Sequence, residues 1–219
     1  FYEDLGILSA DTVLTEDLTK LFNQLSGFAP HSTYSRLLVA PRTLRSGLLE
    51  KISNEIANAK AGKPAGIQMK LNSLLDEEFV EALYEASAAG VKIDLIIRGI
   101  CAIRPGIKGL SENIKVRSIL GRFLEHSRIF YFYNDGKEEY WIGSADLMHR
   151  NLDRRVECLV QIYNPEHIKK LVEILDIGTS DQTQSWRLQG QRWTRQAISD
   201  TGARLLDAHS HHLKNNTKG

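Results

Sequence analysis

The stretch RLLVAPRTLRSGLLEKISNEIANAKAGKPAGIQMKLNSLLDEEFVEALYEASAAGVKIDLIIRG, residues 36–99, decides the fold class. It opens on RLLVA (36–40), a short apolar run stopped by Pro41, which reads as a buried strand. Over residues 44–59 the period changes. Leu44, Leu48, Leu49, Ile52 and Ile56 fall on one face of a helix, which the turn AGKPAG ends. Residues 67–71 return to alternation, with Ile67, Met69 and Leu71 on one face. Residues 77–89 predict another helix, with Gly90 as its C-cap, and 91–97 another strand. Strands that alternate with amphipathic helices predict an α/β layered sheet, at least partly parallel, flanked by helices.

Working outward, residues 11–25 read as a helix with Leu14, Leu18, Leu21, Phe22 and Leu25 on one face. The turn-rich GFAPHSTYS (27–35) follows. Beyond Arg98 the pattern loosens. Residues 99–113 read as a structured loop and 115–120 as a strand. Residues 128–133 and 139–142 form a strand pair across Asn134-Asp135-Gly136-Lys137, because Asp-Gly is a hairpin turn signal. Residues 155–162 are a further strand, and Pro165 opens a helix reaching about residue 177. The polar remainder, 179–219, holds Trp186 and Trp193. It is expected to be a partly disordered tail, with the histidines at 209, 211 and 212 in a frayed end.

Composition excludes some classes. The chain has 219 residues, 42% hydrophobic and 25% charged, as in soluble domains. No apolar run approaches a membrane span. The N-terminus lacks a signal peptide's basic start and apolar stretch. Phe1-Tyr2 reads like mid-protein sequence, so the chain is expected to begin inside a longer one. Cys101 and Cys158 form no CxxC pair, which fits a reducing compartment and a cytoplasmic location. There is no Walker loop, GxGxxG after a strand, HExxH or GxSxG elbow, and no residue set is assigned to a metal. Net charge is only +1, yet residues 98–155 hold eleven lysines and arginines against seven acidic residues, and eight of the eleven are arginines. Arginine's planar fork suits phosphate oxygens, although a solvated basic face has the same composition.

Three clusters fall in that basic stretch. In LEHSRIFYF (124–132), His126 and Arg128 project to one side of the start of an apolar strand, and IGSAD (142–146) closes the neighbouring strand. A histidine and a cation beside Ser144 make a phosphoryl-handling arrangement, in which histidine is nucleophile or proton shuttle. The plain alternative is a histidine satisfied by hydrogen bonds at a strand end. Arg98 follows a strand's C-terminal end, where ligands bind in open α/β sheets, and Gly99 allows a sharp turn there. Its alternative is a loop salt bridge. MHRNLDRR (148–155), with Arg150, lines the same cleft or is a solvated loop.

RGICAIRPGIKGLSENIKVRSILGRFLEHSRIFYF (98–132), IGSADLMHRNLDRRVE (142–157) and LLVAPRTLRSGLLEKISNEIANAKAGKPAGIQMKLNSLLD (37–76) resemble the C-terminal region of polyphosphate kinases of the P-loop-free, histidine-dependent type. The opening FYEDLGILSAD is similar to the last strand of that family's preceding domain. The resemblance implies a phospholipase-D-like layered sheet. Its expected units are residues 1–10 as the end of the preceding catalytic domain, 11–33 as helix and linker, 34–178 as the catalytic domain and 179–219 as tail. His126-Ser127-Arg128 then corresponds to a His-x-Lys motif with arginine for lysine. The aspartate that usually follows would fall at Tyr133, so ordinary phosphodiester hydrolysis is not expected. The resemblance further implies reversible transfer of the terminal phosphate of ATP to polyphosphate through a phosphohistidine in the preceding domain. His126 and Arg128 would be catalytic, and Tyr2, Arg98, His126, Ser144 and Arg150 would bind ATP or polyphosphate. ATP and ADP are then substrates, and Mg2+ is held by the preceding domain. Partners are polyphosphate and the rest of the enzyme, with no nucleic acid. The full-length form would be a homo-oligomer, cytoplasmic or membrane-associated. A polyanion-binding module and a phospholipase-D-like phosphodiesterase are the competing readings.

Overall fold

A computed structural model describes residues 2–27 and 33–216; Phe1, most of the GFAPHSTYS loop (28–32) and the last three residues of the tail lie outside the described residues. The elements in order are β1 (Tyr2–Glu3), α1 (Thr12–Leu25), β2 (Leu37–Val39), α2 (Leu44–Lys60), β3 (Gly66–Leu71), α3 (Glu77–Ala88), β4 (Lys92–Ile97), β5 (Ile114–Ser118), β6 (Leu124–Glu125), β7 (Ile129–Phe132), β8 (Glu139–Gly143), β9 (Cys158–Ile162), α4 (Pro165–Thr179), β10 (Ser185–Gln189), β11 (Arg192–Gln196) and α5 (Ala208–Asn216). The expected class, an α/β layered sheet flanked by helices, is what they form.

Helix starts follow local chemistry. The Asp11, Asp76 and Asn164 side chains accept N–H groups of the first turns of α1, α3 and α4, and Pro165 needs no hydrogen bond where it stands. Nine strands make one sheet in the order β11-β10-β5-β4-β3-β7-β8-β9-β2. Only β3, β4 and β5 pair in parallel, and the other neighbours are antiparallel. β2 is therefore an edge strand on β9 and stands apart from the parallel set. The hairpin turn lies where Asp-Gly places it, with Asn134, Asp135 and Gly136 all at positive φ.

Alternation along β3 and β4 drives the layering. Ile67, Met69, Leu71, Ile93, Leu95 and Ile97 are buried under Leu48 and Ile52 of α2 and Phe79 and Leu83 of α3. The opposite face of the sheet, with Ile96, Ile129, Ile142 and Ile162, is covered by Leu171 and Leu175 of α4. Leu14 and Leu21 of α1 cover β2, while Phe22 and Leu25 of the same expected face are exposed at 67% and 52%. α1 is turned by Asp17, which is fully buried and accepts the Ser35 and Arg36 N–H groups at 2.7 and 2.6 Å. No helix among the described residues is long and apolar enough to cross a membrane.

Up to residue 216 the polar stretch after 179 is folded, where a partly disordered tail is expected from its polarity. β10 pairs with β5 and carries β11 as the sheet's far edge. Leu188 and Trp193 pack against the main core, and Leu205, Ala208 and His209 are buried. The strands escaped notice because their outer face is wet, so SWRLQGQRWTRQ carries few apolar residues. The compact unit thus runs past the expected boundary at 178. Truncation after Thr179 is expected to lower stability by more than the about 1.5–3 kcal/mol that burying Leu205 alone contributes. Thermal unfolding checks this, and a truncated chain as stable as the full one would restore the tail reading.

Candidate active site

β6 is too short to be held by its own ladder, so side chains hold it. It pairs in parallel with β1, Tyr2 opposite Leu124 and Glu3 opposite Glu125. His126 continues that register by donating its N–H to the Glu3 carbonyl at 2.9 Å. Alternation then splits the segment. Glu125 and Ser127 turn inward and are buried, while His126 and Arg128 turn outward and are partly exposed. Inside waits Lys70 of β3, only 4% exposed. Its ammonium meets Glu125 at 2.6 Å, Glu3 at 2.9 Å and the Ser127 hydroxyl at 2.5 Å. Ser127 also hydrogen-bonds both Glu3 carboxylate oxygens, at 2.9 and 3.0 Å. Both neighbours of His126 are thereby tied to one buried cation.

On the outer side the Asp4 carboxylate lies 2.6 Å from His126 Nδ1, and the Tyr2 ring meets the imidazole edge-on at 5.3 Å. An acceptor at Nδ1 holds a proton there and leaves Nε2 for chemistry. Burial raises the Asp4 pKa, but the hydrogen bonds from His126 and the Leu5 N–H and the charges of His126 and Arg128 outweigh it, so Asp4 ionises more readily than usual. Arg128 donates through Nη1 to the His126 carbonyl at 2.9 Å, and that nitrogen also stands 3.2 to 3.3 Å from the imidazole nitrogens. Its Nη2 and Nε reach Asp146 at 3.0 and 3.4 Å. Asp146 accepts in addition from the backbone N–H groups of Asn72 and Ser73, at 2.8 and 3.3 Å. Arg98 Nε donates to the Asn72 side-chain oxygen at 3.1 Å. One chain of hydrogen bonds thus runs Asp4–His126–Arg128–Asp146–Asn72–Arg98, across the ends of β3, β4, β7 and β8.

Tyr2 and the hydrogen-bonded His126, Arg128 and Arg98 lie along this one chain of contacts. Three positions, Arg128, Arg150 and Ser144, need correction. Arg128 is not an open anion clamp: at 11% side-chain exposure its charge needs a buried partner, and Asp146 supplies it. Arg98 keeps both terminal guanidinium nitrogens without a partner among the described residues. Arg150 begins a π-helical turn, Arg150–Arg154, and is exposed; no hydrogen bond or ion pair among the described residues ties it to the cluster. Ser144 has a structural use. Its hydroxyl accepts the Cys158 N–H at 3.3 Å and its N–H donates to the Cys158 carbonyl at 3.1 Å. Gly99 is required for closeness rather than for an unusual φ, since an added Cβ would sit 2.7 Å from the Asn72 carbonyl. A Cβ at Gly143 would collide with the Cys158 carbonyl.

Asp146, Asn72, Asp4 and Lys70 were not singled out from sequence. Asn72 follows β3 as Arg98 follows β4, so the strand-end rule that flagged Arg98 applies equally to it. Asp146, two residues after Ser144, is a lone carboxylate facing a lone arginine. Asp4 and Lys70 left no such signal, because their roles depend on β1 lying against β6.

One described trio has metal-ligand spacing: Asp76, His149 and Asp153 offer ligand atoms within 4.8 Å of one another. Arg45 already serves it, with both guanidinium ends on fully buried Asp76 at 2.7 and 2.8 Å and one on Asp153 at 3.1 Å. An arginine in place and a nitrogen ligand do not suit Mg2+.

A mixed sheet covered by helices, with a histidine–arginine–carboxylate site across its strand ends, defines this protein as an α/β domain with a hydrogen-bonded polar site at the ends of its central strands. Residues 37–206 match the family profile "Polyphosphate kinase C-terminal domain 2". The polyphosphate kinase of Streptomyces coelicolor is 55% identical over 205 residues, covering 93% of this chain and 28% of that protein. The polyphosphate kinase of Pseudomonas aeruginosa is 50% identical, covering 92% and 29%. The crystal structure of polyphosphate kinase from Porphyromonas gingivalis superposes with a TM-score of 0.87 at 35% identity, covering 96% of this chain and 33% of that one. The chain belongs to the polyphosphate kinase family, as its C-terminal domain, and spans under a third of the length of those relatives.

Two measurements check the site. Asp146→Ala leaves the Arg128 charge buried without an anion, and such a loss is expected to cost about 3–5 kcal/mol of unfolding free energy in a denaturant titration. Burial raises the Glu125 pKa, but the hydrogen bond to His209 and the charge and hydrogen bond of Lys70 overcome it and hold Glu125 near 2, below its ordinary 4.5. A depressed carboxyl contributes stability above its ordinary value and loses it as pH falls from about 4.5 toward 2. Glu125→Gln is therefore expected to flatten the acid limb of melting temperature against pH. An acid limb of unchanged steepness would place the acid sensitivity elsewhere.

Proposed function

We propose that this chain is the C-terminal catalytic domain of an enzyme that reversibly transfers the terminal phosphate of ATP to inorganic polyphosphate. The observation that carries the reading is the hydrogen-bond chain from Asp4 through His126 and Arg128 to Arg98. That chain links an oriented imidazole to a guanidinium with open donors. The family supports the substrates, since its members are named for that activity. The covalent phosphohistidine of the reaction is assigned to a part of the enzyme outside this chain.

Phosphoryl transfer depends on positioning and on stabilising negative charge. Asp4 holds the His126 proton at Nδ1. Nε2 is then an acceptor in the neutral ring, and a donor to a phosphate oxygen in the imidazolium. Proton transfer of this kind contributes about 10²- to 10⁴-fold. Arg98 offers two free nitrogens to a phosphate, while Arg128, spent on Asp146, fixes the height of the His126 loop. Tyr2, 66% exposed beside the imidazole, supplies an aromatic surface that an adenine can border. The Asp76 trio does not fit Mg2+, and no step is assigned to a metal in this chain.

In the full-length enzyme, His126→Ala is expected to lower kcat for polyphosphate synthesis at least about 10²-fold. Arg98→Ala is expected to act mainly on ATP binding. The isolated chain is expected to synthesise no polyphosphate. A His126→Ala enzyme with normal turnover and an Arg98→Ala enzyme with weakened polyphosphate binding would instead mark this domain as a polyanion grip.

A further inference from the structure

The segment that presents His126 is gripped from the far end of the chain. His209, in the first turn of α5, is 4% exposed. Its Nε2 lies 2.5 Å from Glu125, and its Nδ1 accepts the Phe123 backbone N–H at 3.2 Å. A backbone N–H can only donate, so the ring proton stands on Nε2 and is given to Glu125. The tautomer is thus set from both sides. The Phe123 ring lies against the imidazole at 5.6 Å, and Gly121 leaves room for it, since a Cβ there would collide with the His209 ring. One side chain therefore spans 121–125, the residues that lead into His126. Glu125 passes the constraint on to Lys70, which also holds Ser127 on the other flank.

We propose that His209 is a positioning residue for His126, fixing the 121–125 segment through Glu125 and the Phe123 N–H so that the imidazole keeps its place beside Asp4 and Arg128. The inference rests on the role of His126 proposed above. His209 touches no reacting atom in this scheme, and its effect reaches the site only through Glu125 and the Phe123 backbone. A misplaced catalytic group lowers turnover far more than ground-state binding.

The test uses the full-length enzyme carrying His209→Ala, His209→Asn or His209→Gln, with His126→Ala alongside. Glutamine reaches the Nε2 position and keeps a donor for Glu125, whereas asparagine stops at the Nδ1 position. His209→Ala and His209→Asn are expected to lower kcat about 10- to 100-fold, while KM for ATP stays within about twofold. His209→Gln is expected to recover kcat to within about threefold of wild type. Hydrogen exchange of the His126 amide, which reports the grip whatever the His126 side chain does, is expected to speed up in the first two variants and not in the third. Unchanged kcat in His209→Ala, or equal kcat in His209→Asn and His209→Gln, overturns the proposal. If His209→Ala does not fold, the Asn–Gln pair decides. Normal turnover in His126→Ala overturns the catalytic reading instead, and the amide exchange still judges the grip.

Discussion

A buried ammonium must be surrounded by anions or not exist, and around Lys70 that requirement organises the site. Lys70 stands on β3, in the middle of the sheet, where its neighbours along the strand are core residues. Removing an ammonium from water costs several kcal/mol unless it is paired and fully hydrogen-bonded. Glu3, Glu125 and Ser127 meet the demand, and each comes from a segment too short to be stable alone. β1 and β6 are two residues each. Besides their own pairing, Lys70 gives Glu3, Glu125 and Ser127 one shared tie to the central strand. The catalytic candidate lies between two of the anchored residues and faces the other way.

The same economy separates the two arginines. Arg128 is nearly covered and is neutralised by Asp146, whose own orientation is set by the N–H groups at the end of β3. It is a strut. Arg98 sits where β4 ends, bonded through one nitrogen to Asn72, and its remaining donors are available. Rigidity and recognition fall to different guanidinium groups, as expected if the imidazole must be placed before an anion arrives.

The layered α/β class was legible in residues 36–99 because strand and helix periods alternate cleanly there. The hairpin was legible because Asp-Gly requires positive φ. The direction of β2 was not, since an apolar run of a few residues says nothing about its partner. The edge strands β10 and β11 were hidden by their wet face, and α5 by its histidines, which read as a loose end although His209 is among the buried polar residues. Within the site, His126 and Arg98 stood out from the sequence pattern and Tyr2 from the family resemblance. Arg128 stood out beside His126, but its partner did not, because Asp146 lies after a different strand. Asp4 and Lys70 depended on the β1–β6 pairing, a contact between residues more than a hundred positions apart.

The inner and outer faces of the 121–128 segment are held in one arrangement, with protons in assigned places. Nitrogen-15 spectra of histidine-labelled protein test it directly through the tautomers of two rings. His209 is expected to carry its proton on Nε2, slow to exchange, and His126, when neutral, on Nδ1. Two rings showing the rapidly averaged tautomers of solvated histidine would contradict it.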